Sequence, residues 1–197
     1  MKRSFFPLWL VLCFVTLGCT AVPAAEPAGP TVIAFGACAH EGKPQPIWDA
    51  VVAAQPDLFI FTGDNIYGDT KDMDVLKAKY AKLGAQPGYQ KLLKTCPVLA
   101  VYDDHDYGQN DGGKNYPMRK ESAEICLEFF GVPADDPRRD HEGVYGSQIT
   151  GEVGQRLQVI LLDTRYFRDD LDKGKLSGAE RKEQNVVGWY QPTKDTT

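Results

Sequence analysis

The stretch PDLFIFTGDNIYGDT, residues 56–70, joins a continuous apolar run to a polar loop. The apolar run, residues 57–62, has the length and composition of a β-strand that is buried on both faces. Directly after it, residues 63–67 bring Asp, Asn and Tyr side chains together. The stretch therefore predicts a buried strand that ends in a loop of reactive side chains.

The segments on either side alternate between strand and helix patterns. Residues 46–55 place Ile47, Trp48, Val51 and Val52 on one helical face. Other helices are predicted at residues 72–83, 90–95 and 117–130, and other strands at residues 31–37, 97–102, 143–149 and 156–162. This alternation predicts a layered α/β fold, with a β-sheet flanked by helices. In residues 168–197, where charged residues and Gly dominate, we expect neither strand nor helix.

Residues 1–18 have the pattern of a secretory signal, with a basic start and an apolar run over residues 5–18. The run is shorter than the roughly 20 residues that a membrane span needs. Residues 17–19, Leu-Gly-Cys, resemble the end of a bacterial lipobox, which would make Cys19 a lipid-anchored first residue. The alternative is an ordinary signal peptidase site, with a signal of residues 1–24. Residues 19–30 are rich in Ala and Pro and predict a tether before a domain at residues 31–197.

Composition limits the classes of partner and of fold. The formal net charge is −5, and an acidic exported domain is poorly suited to hold a nucleic-acid backbone. The domain keeps an odd number of cysteines, Cys38, Cys96 and Cys126, so no disulfide framework is implied and at least one thiol is free or ligated. Cys96 and Cys126 follow apolar helix faces and are expected in the core.

Reactive side chains follow each predicted strand. Cys38 and His40 come after the first, Asp64 and Tyr67 after the second, residues 103–106 (Asp-Asp-His-Asp) after the third, and Asp163 and Arg165 after the last. Ligands of open α/β sheets bind beyond the carboxyl ends of the strands. Carboxylates that converge at one edge repel each other unless a cation neutralises them. The pattern therefore predicts a metal site at this edge.

Some of these residues have a simpler interpretation. We interpret Asp69, Asp72 and Asp74 as turn formers or helix caps, because they surround the predicted start of the 72–83 helix. The acidic group of Asp135, Asp136 and Asp140, with His141, indicates a solvated loop.

Four blocks of the sequence resemble the successive motifs of the PhoD-like alkaline phosphatases, of the calcineurin-like metallophosphoesterase superfamily. The blocks are FGACAHEGKPQPIWDAV, PDLFIFTGDNIYGDT, VYDDHDYGQND and LLDTRYFRDD. The similarity runs from about residue 31 to residue 170. It implies a metallophosphoesterase-type β-sheet flanked by helices. Members of the family continue with further sheet and a late Asp-x-His segment, so we expect this chain to be truncated at its C-terminus and weakly active.

The resemblance implies metal ligands residue by residue. Asp64 matches the carboxylate that bridges two metals, Cys38 a family cysteine ligand, and Tyr67 a metal-binding tyrosine. Asp104 stands for a metal-binding Asn, and Asn110 resembles a further site residue. A thiolate and a phenolate favour a redox metal such as ferric iron, and oxygen ligands favour calcium. We expect two or more metal ions, iron plus calcium, with zinc or manganese as alternatives.

The implied activity is hydrolysis of phosphate esters by metal-activated water. His105 matches the histidine that faces the phosphate, and Arg165 is placed to clamp a phosphate oxygen. We expect an exported protein, periplasmic or anchored in a bacterial membrane; its substrate and oligomeric state stay open. Two alternatives remain: a thiol hydrolase with Cys38 as nucleophile and His105 as base, and a lipid-anchored binding protein that keeps the fold without catalysis.

Overall fold

A computed structural model of the chain describes residues 32–171 and 177–183. The predicted signal and tether, residues 1–30, lie outside the described residues. In chain order the elements are β1 (Ile33–Gly36), α1 (Ile47–Ala53), β2 (Leu58–Thr62), α2 (Met73–Gly84), α3 (Pro87–Thr95), β3 (Val98–Val101), α4 (Asp104–Tyr107), α5 (Arg119–Phe129), a 3₁₀ helix (Pro137–Arg139), β4 (Gly146–Thr150), β5 (Leu157–Leu161) and α6 (Gly178–Glu183). Within these ranges, no helix is both long enough and apolar enough to cross a membrane.

The first three strands form a parallel sheet in the order β1-β2-β3. In the centre of the sheet, Phe59 is in register with Ala34 of β1 and with Val98 of β3. Because the strands are parallel, their carboxyl ends lie at the same edge. The loops that follow Gly36, Thr62 and Val101 therefore start side by side.

Aromatic rings on one face of β2 hold the helices against the sheet. Trp48 of α1 packs against Phe59 and Phe61, with ring centroids 5.5 and 5.6 Å away. Phe61 also contacts Tyr89 of α3 and Phe130, which follows α5. Burying one phenylalanine side chain contributes about 1.5–3 kcal/mol, so this ring cluster is the main attachment of the helical layer.

The last two strands form an antiparallel pair, in which Ser147 lies opposite Ile160. Leu161 is buried in the core, whereas the exposed fractions of Ile160 and Phe35 are 63% and 75%. Ile160 and Phe35 line one groove together with Ile60, which points away from the helices because side chains alternate along a strand. One face of the sheet is thus packed, and the other is an open apolar surface.

The predicted α/β fold class is confirmed, and all the predicted helices and strands occur with shifted ends. Cys96 and Cys126 are buried, as predicted. Helix α3 begins at Pro87, three residues before the predicted start, because proline at the first turn loses no helical hydrogen bond. Ile47 was expected on the buried face of α1, but it is 61% exposed. It opens the helix, and the ring of Trp48 provides the contact with the sheet.

Helix α6 contradicts the expectation that residues 168–197 hold no helix. Its start is a reciprocal capping box: the Glu180 N–H donates to Ser177 Oγ, and the Ser177 N–H donates to Glu180 Oε2. Such a box marks a helix start without any apolar stripe. The expectation was wrong because it depended on apolar periodicity alone.

Candidate metal centre

The loops that follow the three parallel strands touch each other at the carboxyl edge of the sheet. The Cys38 N–H donates to the Gly63 carbonyl at 3.2 Å, which joins the first loop to the second. Gly63 has a φ of +114°, and a Cβ atom there would lie 2.4 Å from Asp103 Cβ in the third loop. Only glycine allows both the backbone conformation and this approach. The sequence Gly63-Asp64 therefore brings Asp64 between the loops after β1 and β3.

Asp64 is the centre of the arrangement. The Cys38 thiol donates to Asp64 Oδ2, with the sulfur 3.5 Å away. The other carboxylate oxygen, Oδ1, is buried and has no hydrogen-bond partner. Burial raises the pKa of this carboxyl group, although the Cys38 contact opposes the shift. An orphaned, buried carboxylate oxygen is costly unless a cation binds there.

Tyr67 borders the same space as Cys38. Burial and the contact with Cys38 raise the pKa of the Tyr67 phenol well above its ordinary value. Its ring lies between two imidazoles, 4.9 Å from the ring of His40 and 4.4 Å from that of His105. The structure thus brings together Cys38, Asp64 and Tyr67, which were predicted as ligands of one ion.

A second group of donors forms on the other side of Asp64. One ligand atom each from Asp64, Asp104 and His105 lies within 4.8 Å of the others, so these side chains could hold a metal ion. Burial opposes ionisation of Asp104, but the Asp111 N–H, which donates at 2.7 Å, and Arg165 keep its pKa below the usual value. Asp64 therefore belongs to both donor groups, which is the position of a bridging carboxylate.

His105 binds Asp69, a residue that the sequence analysis did not place in the site. Its Nδ1 lies 2.9 and 2.8 Å from the two carboxylate oxygens of Asp69. Asp72 caps α2 by accepting from the N–H groups of Asp74 and Val75, so the helix-cap interpretation holds for Asp72, whereas the side chain of Asp69 binds His105. In a neutral ring, the Asp69 contact places the proton on Nδ1 and leaves Nε2 with its lone pair.

The remaining predicted site residues lie at the rim. The side chain of Arg165 is 14% exposed. Its guanidinium pairs with Asp103 and lies 3.6 Å from Asp104 Oδ1. Asn110 is exposed in the turn after α4, one residue before Asp111, whose N–H binds Asp104. Arg165 therefore contacts the carboxylates of the site, and a phosphate contact stays a prediction.

A buried polar pair that the sequence did not reveal links the second loop to the third. Asp106 is fully buried and accepts hydrogen bonds from the Asn65 N–H at 3.0 Å, from Asn65 Nδ2 at 2.5 Å and from the Asp103 N–H at 2.6 Å. Asn65 Nδ2 also donates to the Val101 carbonyl. Their positions next to Asp64 and His105 were the only signal, since both residue types are common in loops.

Glu41 supports the site from the first loop. It is buried, accepts from the Tyr67 N–H at 3.0 Å and pairs with Lys79 at 3.2 Å. Lys79 also donates to the Tyr67 carbonyl. Both backbone groups of Tyr67 are therefore held, which fixes the position of its ring between the two imidazoles.

The donor set fits a pair of cations. Thiol, phenol, carboxylate and imidazole groups surround Asp64, and its orphaned oxygen lacks only a positive partner. Burial, and after it the neighbouring carboxylates, raise the pKa values of Cys38 and Tyr67, and a bound cation would oppose these shifts by favouring the anionic ligands. The residues present can thus hold a metal.

Comparison with known proteins supports this fold. No protein-family model matches the chain. It is 27% identical, over 150 residues and 73% of its length, to the Arabidopsis thaliana protein named "Probable inactive purple acid phosphatase 14". It superposes on the structure of PhoD with a TM-score of 0.61 at 18% identity over 83% of the chain. The chain spans 36% of the plant protein and 37% of PhoD. The predicted resemblance to PhoD is confirmed, and the chain has a PhoD-type metallophosphoesterase fold.

Proposed function

We propose that this chain forms part of an exported, metal-dependent phosphoric ester hydrolase of the alkaline phosphatase and phosphodiesterase type. The observation that carries the proposal is Asp64, which two donor groups share and which has one buried oxygen without a partner. A carboxylate in this position is the centre of a two-metal phosphoesterase site. The substrate would be a phosphate ester, and nucleic acid would not serve as a binding scaffold, given the net charge of −5.

The two donor groups differ in their chemistry. Cys38 and Tyr67 with Asp64 would hold a redox metal such as ferric iron, since thiolate and phenolate favour it. Asp104 and Asn110 with Asp64 would hold calcium, or zinc or manganese instead. When bound, such ions neutralise phosphoryl charge and lower the pKa of water.

The protein's own contribution to catalysis is the positioning of His105. The Asp69 carboxylate binds Nδ1, which fixes the plane of the ring. Protonated His105 keeps Nδ1–H on Asp69 and offers Nε2–H to the oxygen of the leaving alcohol. Arg165, held by Asp103, keeps Asp104 in place and would direct its remaining N–H groups to the phosphate.

The decisive variant is Asp64→Asn, which keeps the shape and removes the bridging charge. We expect loss of bound metal and of hydrolysis of 4-nitrophenyl phosphate and bis(4-nitrophenyl) phosphate at alkaline pH, with an unchanged circular dichroism spectrum. Asp74→Asn, on the exposed first turn of α2, is the matched control and should keep both properties. Full activity and full metal content in Asp64→Asn would refute the proposal.

The metal assignment has a separate test in Cys38→Ser. Replacing sulfur by oxygen removes the soft ligand and keeps the rest of the site. We expect elemental analysis of the purified variant to show a lower iron-to-calcium ratio than the unchanged protein. An equal ratio in both proteins would exclude Cys38 as an iron ligand.

The thiol-hydrolase hypothesis is disfavoured by the surroundings of Cys38. Burial and the nearby Asp64 carboxylate raise the pKa of the thiol, whereas a nucleophilic cysteine needs a lowered pKa. The non-catalytic alternative has one specific support, the word "inactive" in the name of the plant relative. Binding of a phosphate ester without turnover, in a metal-loaded sample, would favour that alternative.

Export rests on the pattern of residues 1–18, and periplasmic location or a lipid anchor at Cys19 rests on residues 17–19. Expression of the full chain in a bacterium with radiolabelled palmitate tests both. Label in the unchanged protein that is lost in Cys19→Ser supports the lipoprotein form, and an unlabelled, shortened protein in the periplasm supports cleavage after residue 24. A full-length protein in the cytosol contradicts export.

A further inference from the structure

A pocket of about 320 Å³ lies between the end of β1 and helix α1, next to the candidate metal centre. Its lining is mostly apolar and includes the exposed side chains of Phe35 and Ile47 and the largely buried rings of Trp48, Phe59 and Phe61. This volume suits a small ring or a short alkyl group, and small-molecule sites have this combination of size and lining.

The pocket shares two residues with the metal centre. Cys38 lines the pocket and donates its thiol hydrogen to Asp64. His40 also lines the pocket, and its ring stacks on Tyr67. A molecule whose phosphoryl group lies at Asp64 would therefore have this pocket as a neighbour, on the side of the β1 loop.

The polar groups of the pocket are largely engaged with each other. His40 Nδ1 accepts from the Gly42 N–H, and Gln45 Oε1 accepts from Trp48 Nε1 at 2.6 Å. Gln45 Nε2 donates to the His40 carbonyl. A polyol in the pocket would find Lys43 and few other partners, so most of its hydroxyl groups would lose their hydrogen bonds, which is costly. An apolar ring loses no such bonds and gains contact with Phe35 and Ile47, which line the pocket and are exposed.

We propose that this pocket receives the apolar alcohol part of the phosphate ester and so selects aryl esters over polyol esters. The inference rests on the proposed function, because it places the phosphoryl group at Asp64. Ile47 is the specificity-determining residue most open to test, since it lines the pocket and is 61% exposed. Its replacement therefore does not disturb the packed core.

The test measures binding of two phosphonates, which cannot be hydrolysed, to the full chain purified with its metals. Isothermal titration should show phenylphosphonate binding about tenfold more tightly than methylphosphonate, as expected for one buried ring. Ile47→Asp should reduce this ratio to about one and leave methylphosphonate binding unchanged. An aspartate is compatible with the first turn of α1, where the helix dipole favours negative charge. Ile160→Asp, with 63% exposure outside this pocket, is the matched control and should keep the ratio.

The outcomes separate this inference from the function on which it rests. If both phosphonates bind with equal affinity, the pocket is not used and the inference is wrong, while the function stands. Loss of the ratio in Ile160→Asp as well would also overturn it, because the contact would then lie elsewhere. If neither phosphonate binds the metal-loaded protein, the proposed function fails and the inference fails with it.

Discussion

At the scale of single residues, the site is built from strained backbone. Cys38, Asp64, Asp69 and Asp111 have φ angles of 62°, 51°, 45° and 57°, in the left-handed region that disfavours side chains with a Cβ. Each such residue costs about 1–3 kcal/mol and persists only where the surroundings hold it. Cys38 is held by the Gly63 carbonyl, and Asp69 by the carbonyl of His105. The strain places the side chains in the site at the expense of local stability.

The first residue-scale prediction concerns Asp69. Asp69→Asn removes the charge that orients the His105 ring through Nδ1. We expect kcat for 4-nitrophenyl phosphate to fall about 10²-fold or more, the range of one proton-transfer group, while metal content stays unchanged.

The control for Asp69→Asn is Asp74→Asn, which removes the same charge from the exposed first turn of α2 and should keep the activity. The split between kcat and KM distinguishes positioning from a structural role, because loss of the Asp69 contact should lower kcat while KM and the Tm stay unchanged. An unchanged kcat in Asp69→Asn would contradict the role of the pair.

The sequence predicts the site residues that directly follow a strand. It does not predict hydrogen bonds between residues that lie far apart along the chain. Asp64 and His105 follow apolar strands, and parallel strands bring their carboxyl ends together. The contact between Asp69 and His105 was missed because the two residues lie 36 positions apart and a turn-forming role explains an isolated Asp equally well. The Asn65–Asp106 pair, separated by 41 residues, was missed for the same reason.

At the scale of elements, the Asn65–Asp106 pair holds the loop after β2 against α4. Asp106 accepts three hydrogen bonds and is fully buried, and burial raises its pKa. Asp106→Ala would leave these donors without a partner, and each buried unpaired group costs about 1–3 kcal/mol. We expect urea denaturation to show a loss of several kcal/mol in the free energy of unfolding.

A double-mutant cycle separates this pair from general damage. Asn65→Ala with Asp106→Ala should cost less than the sum of the single variants, because either change alone breaks the same contacts. Asp74→Ala, on the exposed side of α2, should change stability only slightly. Strict additivity of the two changes would contradict a direct link between the loops.

The 3₁₀ helix gives a prediction with a defined pH dependence. Asp136 Oδ1 accepts from the Arg138 N–H at 2.9 Å and from Arg138 Nε at 3.1 Å, and the Arg138 contact lowers the pKa of Asp136. Asp136→Asn keeps the capping oxygen and removes the charge. At neutral pH we expect a loss of up to about 1 kcal/mol in stability.

The sign of the pH effect follows from the lowered pKa. A group with a lower pKa in the folded state stabilises the protein above its unfolded pKa, and this contribution disappears as the pH falls through the folded pKa. Urea titrations should therefore give equal stabilities for Asp136→Asn and the unchanged protein at strongly acidic pH, and different ones at pH 7. A difference that is constant over this range would contradict an ionised contact.

The sequence pattern did not predict the short helices whose starts are defined by side-chain hydrogen bonds and not by apolar periodicity. Helix α4 has four residues, too few for a periodic pattern, and the capping box of Asp103 and Asp106 starts it. The loop at residues 135–141 is solvent-accessible, as predicted, but it also contains a 3₁₀ helix capped by Asp136, which apolar periodicity did not reveal. The longer elements were predictable because burial against the sheet selects apolar side chains at regular spacing.

At the scale of the whole molecule, packing and charge are both one-sided. The helices cover the face of the sheet that carries Phe59 and Phe61, and the groove on the other side exposes Phe35 of β1 and Ile160 of the antiparallel pair. Much of the acidic charge gathers at the carboxyl edge, where burial and, to a smaller extent, the carboxylates of Asp104 and Asp103 raise the pKa of Asp64. The metal-free protein therefore bears repulsion at the same edge that carries the backbone strain.

We expect metal binding to stabilise the whole fold. We also expect the effect of Asp64→Asn on the Tm to have opposite signs in the metal-loaded and the chelated protein. A ligand that binds only the folded state, at one hundred times its Kd, adds about 2.7 kcal/mol, and 1 kcal/mol corresponds to about 2–4 °C in Tm for a domain of this size. Chelation should thus lower the Tm of the unchanged protein by roughly 5–10 °C.

In the chelated state, Asp64→Asn should be at least as stable as the unchanged protein, because the change removes one of several like charges from a buried place. In the metal-loaded state the same variant should be the less stable of the two, because it has lost the shared ligand. Differential scanning calorimetry of both proteins, with and without chelator, measures all four values. A Tm of the unchanged protein that chelation does not move would show that the strained edge carries no cation, and would contradict the metal centre itself.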